Sequence, residues 1–290
     1  MDATPVIIEV ALNGLTSPQT NPLVPITPGE LAADAIECVD AGAVIVHTHA
    51  DNMGAPPADL AERYAQCYRA VLAERPDTIL YPTVGLGPDT ATRFEHVAVL
   101  AAEGLIRQTF LDPGSVNLGG VGPDGLPPDY DFVYTNTFRD TRFAMALARD
   151  LDLGPSIACF EPGFLQVVLA YAEADALPPG SLVKLYFAAG GYITPGRALW
   201  GAPPIAEALD LYLAMLDGSG LRWAVAVVGG SLFDGPVLDA ALSRGGHVRV
   251  GLEDDPTGPT NAEQVRRVVE RIEAAGRRVA TPAETAEFLW

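Results

Sequence analysis

A closed barrel of eight parallel strands, each followed by a helix, is the fold class that the sequence predicts: α/β, a single-domain (β/α)8 TIM barrel over residues 1–290. β-rich apolar runs and helix-patterned segments alternate eight times along the chain, which is the rhythm of such a barrel. A length of 290 residues fits one barrel. With 49% hydrophobic and 19% charged residues, the strands read as nearly continuous apolar runs, the pattern of strands buried on both faces. An open doubly wound sheet is the alternative, but the first strand-to-helix turn, Asn13-Gly14-Leu15, lacks the spaced glycines of a dinucleotide fold.

Pro5 to Leu12 is the first strand, interrupted only by Glu9. A carboxylate in a strand covered on both faces is costly unless it meets polar partners, so Glu9 is expected to point into a polar site. Thr27-Pro28-Gly29-Glu30 is a capping box with proline at the first helical position, which starts a helix to about Val39. Asp40-Ala41-Gly42 closes it, and the run Ala43 to Val46 leads into His47-Thr48-His49. Beyond this βαβ unit the pattern repeats. Helices are expected over Ala58–Glu74 and Ala91–Glu103, with strands over Thr78–Pro82 and Ile106–Leu111. Gly119 to Tyr130, rich in Gly, Pro and Asp, reads as a long loop over one end, and Asp131 to Thr135 as a short extra strand before a helix to Asp150. Strands at Ser156–Phe160, Leu182–Ala188, Arg222–Val228 and His247–Leu252 follow, with helices at Phe164–Ala174 and Pro203–Met215 between them. Gly229-Gly230-Ser231 opens the next helix, and Thr260-Asn261-Ala262-Glu263 caps the last long one, to about Ala275.

A formal charge of -19 repels phosphate backbones and anionic lipid surfaces, which argues against nucleic acid and membrane partners. Cys38, Cys67 and Cys159 are odd in number, far apart and set in apolar sequence, so they read as buried thiols in a reducing compartment. The chain runs from Met-Asp directly into a strand, without a basic start and apolar signal core, and a cytoplasmic protein is expected.

Side chains alternate across a strand, so His47 and His49 leave one face, roughly 7 Å apart at their Cα atoms, and both can reach one ion. They lie where the apolar run ends, at the C-terminal strand end where such barrels build their sites. In a closed barrel the first strand lies between the second and the eighth. Strand eight, His247-Val248-Arg249-Val250-Gly251-Leu252-Glu253-Asp254, places Arg249, Gly251 and Glu253 on one face, with Glu253 at the polar end. Two imidazoles and one carboxylate with an open position suit catalytic Zn²⁺, and the same set accepts Mn²⁺ or Fe²⁺. Asp254 is then free to act as base. An inward Arg249 must be paired, with Glu9, Asp254 or a substrate carboxylate. His247, at the far end of its strand, and His96, among apolar neighbours, are not expected to be ligands.

Five stretches carry a resemblance over essentially the whole chain: Ala11-Leu12-Asn13-Gly14, Pro25-Ile26-Thr27-Pro28, Ala41-Gly42-Ala43 before His47-Thr48-His49, Gly245-Gly246-His247-Val248-Arg249-Val250-Gly251-Leu252-Glu253-Asp254, and Ala280-Thr281-Pro282. The sequence is similar to the β-keto acid cleavage enzyme family. The resemblance implies a zinc-bearing TIM barrel, a homo-oligomer, in which a β-keto acid and acetyl-CoA exchange acyl groups to give acetoacetate and a new acyl-CoA. It implies one Zn²⁺ per chain on His47, His49 and Glu253, with Asp254 as the catalytic aspartate and Arg249 as the arginine. The hydroxyl residues after strands three and four fall on Thr83 and Ser115. Asn117, Gly229 and Gly230 fall near the co-substrate acetyl-CoA, and Glu9 approaches the place where relatives carry a glutamate and this chain has Leu15-Thr16. The competing function is a CoA-independent metal-dependent lyase or hydrolase on the same barrel. A binding protein with a structural ion is a third, disfavoured because structural zinc sites have four protein ligands and three are found.

Overall fold

The computed structural model describes residues 4–290. Eight parallel strands alternate with helices: β1 (Ile8–Ala11), α1 (Pro28–Ala41), β2 (Ile45–Thr48), α2 (Pro57–Glu74), β3 (Ile79–Pro82), α3 (Thr90–Ala102), β4 (Gln108–Leu111), α4 (Phe138–Asp150) and β5 (Gly154–Cys159). Then come α5 (Pro162–Glu173), β6 (Leu182–Ala188), α6 (Ala206–Leu216), β7 (Trp223–Val228), α7 (Val237–Ser243), β8 (His247–Val250), α8 (Asn261–Ala274) and α9 (Pro282–Leu289). The strand order is β3-β2-β1-β8-β7-β6-β5-β4. The ring is nearly closed between its two end strands, where the amide of Arg107, just before β4, donates to the carbonyl of Leu80 in β3 at 3.4 Å. The expected (β/α)8 TIM barrel is therefore the observed one.

β1 lies between β2 and β8, in register Glu9↔Ile45 and Glu9↔Arg249. All four residues of β1, of β2 and of β8 are buried, as strands covered by helices on one side and barrel core on the other must be. The start of α1 is as its sequence dictates: Thr27 accepts the Glu30 amide, and the Glu30 carboxylate accepts the Thr27 amide. At α8 only half of that box forms, Thr260 accepting the amide of Glu263.

Four departures have physical reasons. Val6, expected inside the first strand, pairs with Val279 instead, so the chain leading out of α8 extends the start of β1. Asp131–Thr135 is not a strand; one bridge, Val116 with Tyr134, pins the loop there. Gly229-Gly230-Ser231 leads into a short 3-10 turn at Leu232–Asp234, and Pro236 delays α7 to Val237. The last helix, α9, was not expected, although Thr281 and Glu284 form a complete capping box with proline at the first position. No helix among the described residues is long and apolar enough to cross a membrane.

His247 and His96 are packing residues. The Ile7 amide donates to His247 Nδ1 at 3.1 Å, and His96 Nε2 donates to the carbonyl of Thr83 at 2.9 Å. Burial, with Arg277 and Arg222 nearby, pushes the His247 pKa down to about 3. The unfolded chain takes up this proton near pH 6.5, whereas the folded one resists until about pH 3. The neutral imidazole therefore supports the fold fully above pH 6.5, and that support drains away as pH falls from 6.5 to 3. We expect His247→Asn, which keeps an acceptor for Ile7, to lessen the loss of stability between pH 7 and pH 4 by about 3 kcal/mol. Urea unfolding of both proteins at the two pH values checks this; equal losses would show that His247 does not carry the acid sensitivity.

Candidate metal centre and active site

The C-terminal ends of β1, β2 and β8 meet at one side of the barrel mouth. His47 is the last residue but one of β2, and His49 follows the strand with its backbone clamped by Asn13: the His49 amide donates to Asn13 Oδ1, and Asn13 Nδ2 donates to the His49 carbonyl, both at 2.9 Å. The Asn13-Gly14 turn thus fixes the second histidine. Glu253 arrives by a turn, not by continued strand alternation, because β8 ends at Val250 and Gly251 takes φ +140. A Cβ at Gly251 would sit 2.1 Å from the Ala11 carbonyl oxygen, so only glycine admits this close approach. A Cβ on Gly14 would lie 2.2 Å from Glu253 Cγ; the glycine leaves room for the carboxylate. Asn261 secures the turn from behind, accepting the Leu252 amide and donating to the Leu12 carbonyl.

One ligand atom from each of His47, His49 and Glu253 lies within 4.8 Å of the others. Glu253 Oε2 is 3.3 Å from His47 Nε2 and 3.6 Å from His49 Nε2. His47 Nδ1 lies 3.3 Å from the carbonyl of Tyr81, which can only accept, so Nδ1 carries the proton and the neutral ring turns a lone pair toward Glu253. Burial, outweighing the pull of Glu253 and reinforced by Arg249 and His49, holds the His47 pKa well below 6.5. Glu253 is held well below the usual carboxylate range, the charge of Arg249 overcoming the opposing effect of burial. A lone pair and an ionised oxygen then face each other with no proton between them, and Glu253 Oε2 has no hydrogen-bond donor. The donor set fits a divalent cation, with histidine nitrogens and a carboxylate of the kind zinc accepts.

Behind this trio lies a buried ion cluster. Arg249 donates from Nε and Nη2 to the two oxygens of Asp254 (2.9 and 3.1 Å), from Nη1 to Glu9 (2.8 Å), and pairs through Nη2 with Glu253 (3.0 Å). The open question of its partner is answered by three carboxylates at once. Lys184 donates to Tyr81 OH (2.8 Å) and to Glu9 (3.3 Å), and Tyr81 OH donates to Glu9. Burial alone would raise Glu9, but Lys184 and Arg249 bring it down to about 2. Asp254 moves the other way: its burial outweighs Arg249, and the adjacent Glu253 adds to the rise.

Over these groups opens a cavity of about 280 Å³, lined among others by His47, His49, Glu253, Arg249, Lys184 and Thr83. A groove of about 770 Å³ between α4 and α5 is larger, but it contains neither histidine nor Glu253. Ser115 lies on that groove, donating to the Asn136 carbonyl and accepting its amide, and Asn117 sits further out beside Pro127 and Pro128. Thr83 and Ser115 therefore do not share one cavity. Gly229 donates its amide to the carbonyl of Asp254 at 2.8 Å and packs on Gly190, so with Gly230 it shapes the backbone behind the aspartate.

Sequence reading missed Lys184, Tyr81 and Asp112. Lys184 had a signal, since a charged residue in the apolar run Leu182-Val183-Lys184-Leu185-Tyr186 raises the same question as Glu9. Asp112 directly follows β4 and accepts a hydrogen bond from Tyr134, which the folded-back loop delivers.

The chain is 29% identical over 291 residues to the 3-keto-5-aminohexanoate cleavage enzyme of Fusobacterium nucleatum, covering 98% of this chain and 97% of that one. It is 29% identical over 292 residues to the 3-dehydrocarnitine:acetyl-CoA trimethylamine transferase of Rhizobium meliloti, covering 92% of this chain and 89% of that one. In fold it is similar to the apo structure of ObcA, with a TM-score of 0.68 and 17% identity, over 92% of this chain and 65% of that one. The family profile described as beta-keto acid cleavage enzyme matches residues 5–290, and the chain belongs to the beta-keto acid cleavage enzyme family.

Proposed function

We propose that the protein is a zinc-dependent β-keto acid cleavage enzyme that exchanges acyl groups between a β-keto acid and acetyl-CoA, giving acetoacetate and a new acyl-CoA. The observation that carries the reading is the convergence of His47, His49 and Glu253 at the open mouth of the barrel, with Glu253 Oε2 3.3 and 3.6 Å from the two Nε2 atoms and without a hydrogen-bond partner. Named relatives support the co-substrate: one is a transferase from 3-dehydrocarnitine to acetyl-CoA. His47, His49 and Glu253 would hold the ion, one per chain, and the bound ion would draw electron density from the 3-keto oxygen and so acidify the C2 protons.

Asp254 takes one C2 proton. Of the carboxylates around Arg249 it alone has a raised pKa, whereas Glu9 and Glu253 are pushed down and are weaker bases. The C2 electron pair forms a bond to the thioester carbonyl carbon and CoA thiolate leaves. The thiolate then adds to the original C3, the C2–C3 bond breaks, and C2 regains a proton from Asp254 as acetoacetate departs. Every atom of the acetyl group ends in acetoacetate, and the acyl chain ends on CoA. Arg249 acts as a positioning residue, holding both oxygens of Asp254 in place.

Elemental analysis is expected to find one zinc per chain in the native protein and little in His47→Ala; full occupancy in the variant would remove the ligand assignment. Asp254→Asn should keep its zinc and lose about 10²- to 10⁴-fold in turnover. Near-normal turnover in that variant would assign the base elsewhere. Lysine cannot bridge three carboxylates with a planar fork, so Arg249→Lys should lower kcat more than KM while zinc is retained. Turnover and melting temperature measured on one preparation separate the roles: unchanged turnover per folded molecule would leave Arg249 a purely structural ion partner.

A further inference from the structure

Resting on that keto-acid reading, we infer that the substrate's tail beyond the keto group carries a positive charge, an ammonium or quaternary ammonium, received by Asp112 inside an aromatic chamber. Asp112 is the first residue after β4 and lines the cavity that His47, His49 and Glu253 also line. One of its oxygens accepts from Tyr134 OH; the other has no hydrogen-bond partner among the described residues. The side chains of Phe110, Phe132, Tyr134, Phe160 and Tyr192 line the same cavity. Aromatic faces attract cations and offer nothing to anions, so a carboxylate set among them is best matched by a cation.

The charges of the site point the same way. Four carboxylates stand around two cations, Lys184 and Arg249: Asp112 and Glu253 on the cavity wall, Glu9 and Asp254 behind it. Both cations are already committed: Arg249 contacts Glu9, Glu253 and Asp254, and Lys184 is held by Glu9 and Tyr81. With all four ionised, a divalent ion would bring the set to neutrality, and the carboxylate of a keto acid would tip it negative again; burial raises the pKa of Asp112, so a cation beside it is what would hold it charged. A cationic tail restores the balance at Asp112, the one carboxylate of the four with no cation in contact. The whole molecule, at a formal charge of -19, favours the approach of such a tail and opposes a second carboxylate.

Three unreactive probes of matched length test this: 5-aminopentanoate, hexanoate and adipate, with cationic, neutral and anionic ends, titrated calorimetrically into the zinc-loaded protein. 5-Aminopentanoate is expected to bind about tenfold or more tighter than hexanoate, with adipate weakest, and Asp112→Asn, which still accepts from Tyr134, should remove the advantage. Equal binding by the native protein, tighter binding of hexanoate or adipate, or a preference that survives in Asp112→Asn would each overturn the inference. Acyl exchange with acetyl-CoA, assayed separately on the corresponding 3-oxo acids, judges the reaction itself. A cation preference without any exchange would retire the reaction and keep the cation site, whereas exchange without the preference would do the reverse.

Discussion

A guanidinium with 1% of its surface exposed can remain in a barrel core only if its charge and its N–H donors are met there, and this requirement on Arg249 organises the mouth of the protein. Glu9 meets it from β1, and Asp254 and Glu253 from the turn after β8. Each contact fixes a group with work elsewhere. Asp254 is presented with both oxygens held, and Glu253 Oε1 is turned back to Arg249, which leaves Oε2 facing the histidines. Removing one partner would strand a buried charge, so the cluster tolerates change only as a set.

The same low-dielectric surroundings divide the carboxylates by role. Glu9, touched by both Lys184 and Arg249, is a permanent anion, a counter-ion and no acceptor of protons near neutral pH. Asp254 pays the desolvation penalty with fewer cations around it and is the more basic. Tyr81 links the two regions: its hydroxyl joins Glu9 and Lys184, its backbone carbonyl sets the His47 tautomer, and its ring stacks on that histidine at 4.4 Å.

Much of this was legible in the sequence because the signals were local. His47 and His49 share a face by strand alternation, Glu9 stood out as a charge in an apolar run, and the capping box of α1 named its own first residue. Arg249 and Glu253 were rightly placed on one interior face, but for an incomplete reason: Gly251 breaks the strand, and the turn it permits carries Glu253 inward. What stayed hidden depends on distant chain meeting. Nothing near Asp112 foretells that a loop returns Tyr134 to it, and nothing near Ser115 says that it bonds Asn136 and faces the groove outside. Lys184 is the exception, since the reasoning that singled out Glu9 applies to it unchanged.

Asn13 and Gly14 hold the second histidine and make room for a carboxylate from the other end of the chain, and Glu9 and Arg249 are 240 residues apart in sequence. None of these groups is complete until the last strand has closed beside the first. Contacts of such long sequence separation form late, after most of the loop entropy has been lost. A chain still emerging from the ribosome therefore presents only the paired histidines, and the full donor set of His47, His49 and Glu253 exists once the ring has shut.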